Sequence, residues 1–233
     1  MLINVPIESL EERYSAQWNR WWPKAYSRNA VQWMTIDPVE DGSRVIGTGE
    51  FLDVYGTNIY KTSQLYRILR MVKDKQIKDG DVLFFHDLWF PGLETLFYVR
   101  DAAGINFKIA GMLHAGTWDP HDFLTNKGMT RWARGLEECW LEGVDRVYVA
   151  TDFHRSLLTK RCSQASYRKI VRTWFPFELE PEWMHAKLNL ITFPHRLAPE
   201  KQPWVFDRVR KELELQMPTW RFVKTKEVCQ TKQ

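Results

Sequence analysis

Residues 82–113 read VLFFHDLWFPGLETLFYVRDAAGINFKIAGML, and the fold is decided there. Val82 to Phe85 is a four-residue apolar run, the length of a strand and apolar enough to be covered on both faces. Asp79-Gly80-Asp81 supplies the turn into it. Leu93 to Ala103 keeps a helical pattern that Gly104 ends, and Phe107 to Leu113 is a second buried run. Strand, helix, strand at this spacing predicts a βαβ unit and a parallel sheet.

The rhythm extends in both directions. Upstream, Leu2 to Val5 reads as a strand closed by Pro6. Ser9 with Glu12 forms a capping box that opens a helix through about Trp22, with Pro23 expected to stop it. Short strands are expected over Val31–Ile36 and Arg44–Val54. Thr57 then caps a helix whose apolar residues Leu65, Ile68, Leu69 and Val72 keep a helical period. Downstream come a helix over Met129–Leu141, a strand over Val147–Ala150 and a helix from His154 to about Lys160. Residues 1–174 therefore predict an α/β, Rossmann-like domain. Trp174 opens WFPFELEPE, an extended, proline-punctuated segment that suits an interdomain linker over 175–187. Leu188–Phe193, Trp204–Leu215 and Trp220–Val223 then give one more strand, helix and strand, the expected opening of a second Rossmann-like domain over 188–233. A lone unit of that size cannot bury both faces of its sheet, so that domain is expected to be incomplete.

Composition bounds the class. Hydrophobic residues make up 44% and charged residues 27%, as in soluble globular domains. The 12 Trp and 13 Phe supply a large core. No apolar run approaches the length of a membrane span, and Met1 to Pro6 is too short for a signal peptide. Cys139, Cys162 and Cys229 are scattered and form no CxxC pair. This argues against a disulfide framework or a structural zinc site, favours the cytoplasm, and makes each thiol a packing residue. The net charge of +4 permits an acidic partner without demanding one.

In open parallel sheets, ligands bind beyond the carboxyl ends of the strands. Three apolar runs end in polar clusters: His86-Asp87, His114 with Asp119 on the following loop, and Thr151-Asp152 with His154. A single histidine at a strand end more often pins a loop than does chemistry. Three in succession point to a site. His114 leads the set, because Ala115-Gly116 leave room for a ligand to approach the backbone. His86, Asp87, His114, Asp119 and His121 together also make a metal-dependent hydrolase the alternative enzyme class, although their spacing matches no standard ligand pattern. Asp122 reads equally as a helix cap.

A second cluster lies in Phe193-Pro-His-Arg-Leu-Ala-Pro-Glu-Lys201. Arg-Leu-x-Pro-Glu-Lys between a strand and a helix resembles the opening of the donor domain in retaining glycosyltransferases of the two-Rossmann-domain (GT-B) type, the glycosyltransferase family 4 group. The resemblance implies that Arg196 and Lys201 hold the diphosphate of a nucleotide-sugar co-substrate. It implies that His114 stands beside the acceptor and the transferred sugar. Their strand-end positions make His86, Asp87, Asp119 and Asp152 acceptor-side candidates. The implied reaction is retaining, uses no obligatory metal or other cofactor, and runs in the cleft between two domains. A guanidinium fork and an ammonium ahead of a helix suit phosphate oxygens on physical grounds too. Three departures stand out. His195 replaces the glycine that usually precedes the arginine, Val5-Pro6-Ile7-Glu8 replaces the N-terminal glycine-rich loop, and the paired-glutamate motif would fall beyond residue 233. The aromatic, glycine-poor style resembles bacteriophage-encoded members, some of which modify DNA bases; that implies a host-cytoplasmic enzyme with DNA as a possible acceptor.

Arg155, Lys160, Arg161, Arg168, Lys169 and Arg172 form a basic stretch without an acid, with Tyr167 and Trp174 alongside. It reads either as a solvated helix face or as a track for a phosphate backbone. The latter, taken alone, would make the chain a non-catalytic nucleic-acid-binding fragment. Arg13, Arg20, Trp21 and Trp22 offer a second basic-aromatic surface, unless the tryptophan pair packs against the sheet.

Overall fold

The computed structural model describes residues 1–9, 13–39, 53–160, 162–176, 188–195, 197 and 199–224. The described residues fall into two compact units, one over 1–39 and 54–176, the other over 188–224 together with Asp53.

The first unit is an α/β, Rossmann-like fold built on six parallel strands. These are β1 (Leu2–Val5), β2 (Trp33–Thr35), β3 (Val82–Phe85), β4 (Lys108–Met112), β5 (Arg146–Val149) and β6 (Ile170–Arg172). Their order is β2-β1-β3-β4-β5-β6. Leu2 pairs with both Trp33 and Val82, Val82 with Lys108, Ala110 with Arg146, and Val147 with Ile170. The chain steps from β1 out to β2 and then returns to build the rest of the sheet on the other side of β1. Because strand–helix–strand crossovers are right-handed, that reversal puts α1 (Tyr14–Arg28) on one face. It puts α2 (Val54–Lys73), α3 (Leu93–Ala103), α5 (Thr130–Gly143) and α6 (Asp152–Thr159) on the other. The reversal also makes the carboxyl ends of β1 and β3 the topological switch point, where such sheets hold ligands.

Alternation along the strands builds two cores. Ile3, Val5, Leu83, Phe85, Ile109, Val147, Val149 and Ile170 pack with Ile68, Val72, Leu93, Leu96, Trp140, Leu141 and Leu158 from the larger helical layer. Phe84, Ala110 and Met112 point the other way and pack with Trp18 of α1, with Trp22 and Phe175 against them. Gly104 takes φ 64° and returns its N–H to Arg100 O and Asp101 O, the left-handed stop that ends α3 as the sequence suggests.

Four expectations need correction. Pro23 sits inside α1, and no side chain caps the helix at Arg13. Ser9 lies outside the helix, and Glu12 lies outside the described residues. The proline is tolerated because packing on both sides of it holds the helix to the sheet. Trp22 meets Phe84 at 5.2 Å and stacks on Tyr26 at 5.7 Å. Of the strand expected over Arg44–Val54, residues 44–52 lie outside the described residues, and Val54 instead opens α2. There Gly56, Tyr60, Gln64, Ile68 and Val72 form a buried stripe at four-residue spacing. The basic stretch 155–172 is not one helix face; Arg161 lies outside the described residues, and the rest runs through α6, a short α7 (Gln164–Tyr167) and edge strand β6. Phe175 and Pro176, expected to begin the linker, pack on the first unit instead: Trp18 Nε1 donates to Pro176 O at 2.8 Å and its ring meets Phe175 at 5.1 Å. The rest of the expected linker, 177–187, lies outside the described residues.

The second unit pairs β7 (Leu190–Phe193) in parallel with β8 (Arg221–Lys224). The crossover between them is α8 (Pro203–Leu213), with Pro203 in its first turn, where the missing N–H costs nothing. Among the described residues, no helix is long and apolar enough to cross a membrane.

Candidate functional site

At the switch point, the segment after β1 is clamped from both sides. Gln64 Nε2 donates to Pro6 O at 2.9 Å, Asn19 Nδ2 to Ile7 O at 2.8 Å, and Tyr60 Oη to Ile7 O at 3.3 Å. Thr57, expected to cap α2, donates to the buried Glu8 carboxylate at 2.7 Å. The Pro6–Glu8 segment therefore owes its shape to side chains, where a glycine-rich loop would rely on backbone freedom.

His86, one of the expected acceptor-side residues, is fully buried under α1. Its Nε2 lies 2.7 Å from Asn4 Oδ1, which also accepts from Tyr26 Oη at 2.9 Å. An amide oxygen only accepts, so His86 carries its proton on Nε2. Its Nδ1 is a buried acceptor with no hydrogen-bond partner among the described residues. Burial pulls its pKa down to about 3, with His114 acting in the same direction. His86 is thus a neutral strut between sheet and helix, walled off from any substrate.

His114 is placed differently. It stands half-buried at the carboxyl end of β4, and its Nε2–H donates to His86 O at 2.7 Å. Trp18 and Tyr14 pack on its ring at 5.0 and 5.2 Å, and Phe175 at 6.2 Å. Burial lowers its pKa, opposed by the negative charge of Asp87. With Nε2 committed, the ring keeps a fixed orientation and a lone pair on Nδ1. Asp87 follows β3 and takes a 2.9 Å ion pair from Lys61 of α2 and the Trp89 N–H at 3.0 Å. Lys61 also reaches Trp89 O. Tyr14 lies within the same field: burial first, then Asp87, raises its phenol well above the ordinary range. The switch point thus gathers His114, Asp87, Lys61 and Tyr14: an oriented imidazole, a partnered carboxylate and ammonium, and a protonated phenol.

The room expected beside Ala115-Gly116 is filled from within. A Cβ on Gly116 would meet Glu137 Oε1 at 2.5 Å. That carboxylate accepts from Thr117 N and Thr117 Oγ1, both at 2.7 Å, and from Trp89 Nε1 at 2.9 Å. Burial nevertheless raises its pKa. The loop after His114 is therefore fastened to α5, and the glycine serves that approach.

The other candidates spend their hydrogen bonds elsewhere, although Asp122 feels the charge of Asp87 and His154 that of His114. Asp119 accepts from the His121 N–H at 2.8 Å in a local turn. Asp122 caps a short α4 (Phe123–Asn126) by accepting from Leu124 N, the role the sequence allowed it. Asp152 is exposed and 3.3 Å from Arg172. His154 is buried, and that burial takes its pKa down to about 4. Among the described residues no three His, Cys, Asp or Glu side chains converge to hold a metal ion, so the geometry gives the hydrolase alternative no ligand set. Cys139 is exposed rather than packed, Cys162 is half-buried, and both thiols are free; Cys229 lies outside the described residues.

In the second unit, Lys201 is exposed at the end of a single 3-10 turn, Pro199–Lys201, just before α8. Arg196 lies outside the described residues. His195, in the place of the family's glycine, is exposed with its ring 5.4 Å from Phe193.

Sequence reasoning missed Lys61, Tyr14, Asn4 and Glu137. Two of them left a signal. On α2, Thr57, Lys61 and Gln64 continue the stripe of Ile68 and Val72 toward the N-terminus, and Glu137 lies at helical spacing between Ala133 and Trp140-Leu141. Polar residues on a stripe bound for the core mark a buried polar contact. No family model matches the chain, and no curated protein matches it.

Proposed function

We propose that the chain serves glycosyl transfer from a nucleotide sugar to a hydroxyl-bearing acceptor, with retention and without an obligatory metal. The observation that carries this reading is His114: neutral, oriented through Nε2–H to His86 O, and placed beside Asp87 at the sheet's switch point. Its Nδ1 is suited to accept a hydrogen bond from an acceptor or sugar hydroxyl. Tyr14 and the Lys61–Asp87 pair supply further polar groups for a sugar ring. In the second unit, Lys201 precedes the N-terminus of α8, where an ammonium beside the positive end of the helix favours a diphosphate. Arg196 would share that task by the resemblance of its motif.

Calorimetric titration of the full chain with UDP, GDP and their hexose conjugates tests the reading. One nucleoside diphosphate should bind, and Lys201→Ala should weaken it about tenfold or more, the value of a charge-assisted hydrogen bond. His114→Ala should leave nucleotide binding intact while abolishing release of the sugar from the conjugate. Absence of binding by every nucleotide, or full binding by Lys201→Ala, overturns the proposal.

A further inference from the structure

The edge of the first sheet at β6 carries two arginine–aromatic pairs. The Arg155 guanidinium carbon lies 5.4 Å over the Tyr167 ring, and that of Arg172 lies 4.1 Å over Trp174. Tyr167 is 44% exposed and Trp174 64%. Arg155 is held in place by Ile170 O and Tyr167 Oη, both at 3.4 Å. Exposed Arg168 lies between the two pairs in sequence, and exposed Arg146 reaches it from β5 by donating to Arg168 O. The cations of the old basic stretch therefore separate by role. Lys169 caps α5 through Glu142 O at 2.6 Å, whereas Arg155 and Arg172 are laid against exposed rings.

Trp174 adds an independent mark. It sits at φ 64°, a left-handed backbone that a bulky residue adopts at a cost of about 1 kcal/mol or more. The strained turn holds an indole out in solvent at the carboxyl end of β6. A solvated charge surface has no need of flat apolar rings in water, and a peptide rich in acids would be served by the arginines alone. Cations interleaved with open ring faces suit a ligand that carries both phosphates and accessible aromatic faces. In a duplex the base faces are already stacked.

We propose that the β6 edge, through Tyr167 and Trp174 with Arg155, Arg168 and Arg172, binds single-stranded nucleic acid. The inference is independent of the glycosyl-transfer reading, since it concerns a different part of the sheet and a binding measurement without a sugar donor. The rings stack on bases and the guanidinium groups meet the phosphates.

Fluorescence anisotropy of labelled oligo-dT with the full chain, from low to physiological salt, tests it. Affinity should fall as salt rises, by about 0.7 in log–log slope for each phosphate contacted. Trp174→Ala and Tyr167→Ala should each weaken binding about 5- to 100-fold with the slope unchanged, the signature of a lost stacking platform. Trp174→Phe should restore most of the loss, and Arg168→Gln should reduce the slope. Three results overturn the proposal: no binding at low salt, a Trp174→Ala variant that binds as the parent does, or a duplex of equal length bound as tightly as the single strand. Displacement of oligo-dT by poly-glutamate at equal charge concentration also overturns it and assigns the surface to an acidic protein.

Discussion

Trp18 and Trp174 mark the middle and one edge of the same sheet, which use the same chemistry in opposite ways. At β1–β3–β4, Trp18 is fully buried, its N–H is spent on Pro176 O, and it lies between His86, His114, Tyr14 and Phe175. At β6, Trp174 stands mostly in solvent with an arginine over its face. The first assembly orders polar groups by enclosing them, so its histidines are neutral and their proton positions fixed. The second leaves ring and cation available to a partner. Residue type alone does not separate architecture from recognition; what covers the residue does.

The sharpest way to break this comparison is to truncate both tryptophans. Trp18→Ala should destabilise the fold by about 3–5 kcal/mol, as for large aromatic deletions from packed cores. Trp174→Ala should stay within about 0.5 kcal/mol of the parent, as for exposed positions. Urea unfolding reads both. Equal losses would show that the two tryptophans are enclosed alike.

Acid should destabilise the fold through its buried histidines. His86 and His154 have folded pKa values of about 3 and about 4 against an ordinary 6.5. Between those limits the unfolded chain binds protons that the folded chain refuses. Their contribution to stability is therefore fully present above pH 6.5 and is lost as pH drops toward 4. Each histidine contributes about 1.4 kcal/mol per pH unit across that window. His154→Asn should flatten the pH dependence by about that slope. A His154→Asn variant whose stability tracks the parent down to pH 4 would remove His154 from this account.

The sequence was most legible where local and tertiary demands agree. Val82–Phe85 and Leu93–Ala103 are a strand and a helix at the stated bounds because an apolar run, a helical period and a left-handed Gly104 all point one way. Pro23 was misread because the force that keeps α1 intact across it is non-local, with Trp22 and Tyr26 seated on the sheet. β6 was missed because Ile170–Arg172 offers one buried residue in three, as edge strands do. In the site, strand-end position found His114 and Asp87, but also His86, which the same logic offered to an acceptor and α1 covers. The difference lies in side-chain direction: His86 continues the Asn4–Phe84 face under Trp18, and only the helix crossing above it decides its exposure. Lys61, the partner of Asp87, is distant in sequence and was visible only as a polar residue on a buried stripe.

The smallest effect tests the open end most delicately. Asp152 is 70% exposed, and its carboxylate lies 3.3 Å from the Arg172 guanidinium that covers Trp174. A pair so exposed contributes little to folding, so Asp152→Asn should change stability by less than about 0.5 kcal/mol. It would nonetheless remove the acidic partner that the described residues give a cation assigned to phosphate, and a phosphate approaching Arg172 would no longer compete with that carboxylate. Oligo-dT affinity should therefore rise about two- to threefold at low salt and converge with the parent as salt screens the difference. Unchanged or weakened affinity in Asp152→Asn would mean that Arg172 does not face the strand, leaving Tyr167 and Arg155 to carry the contact.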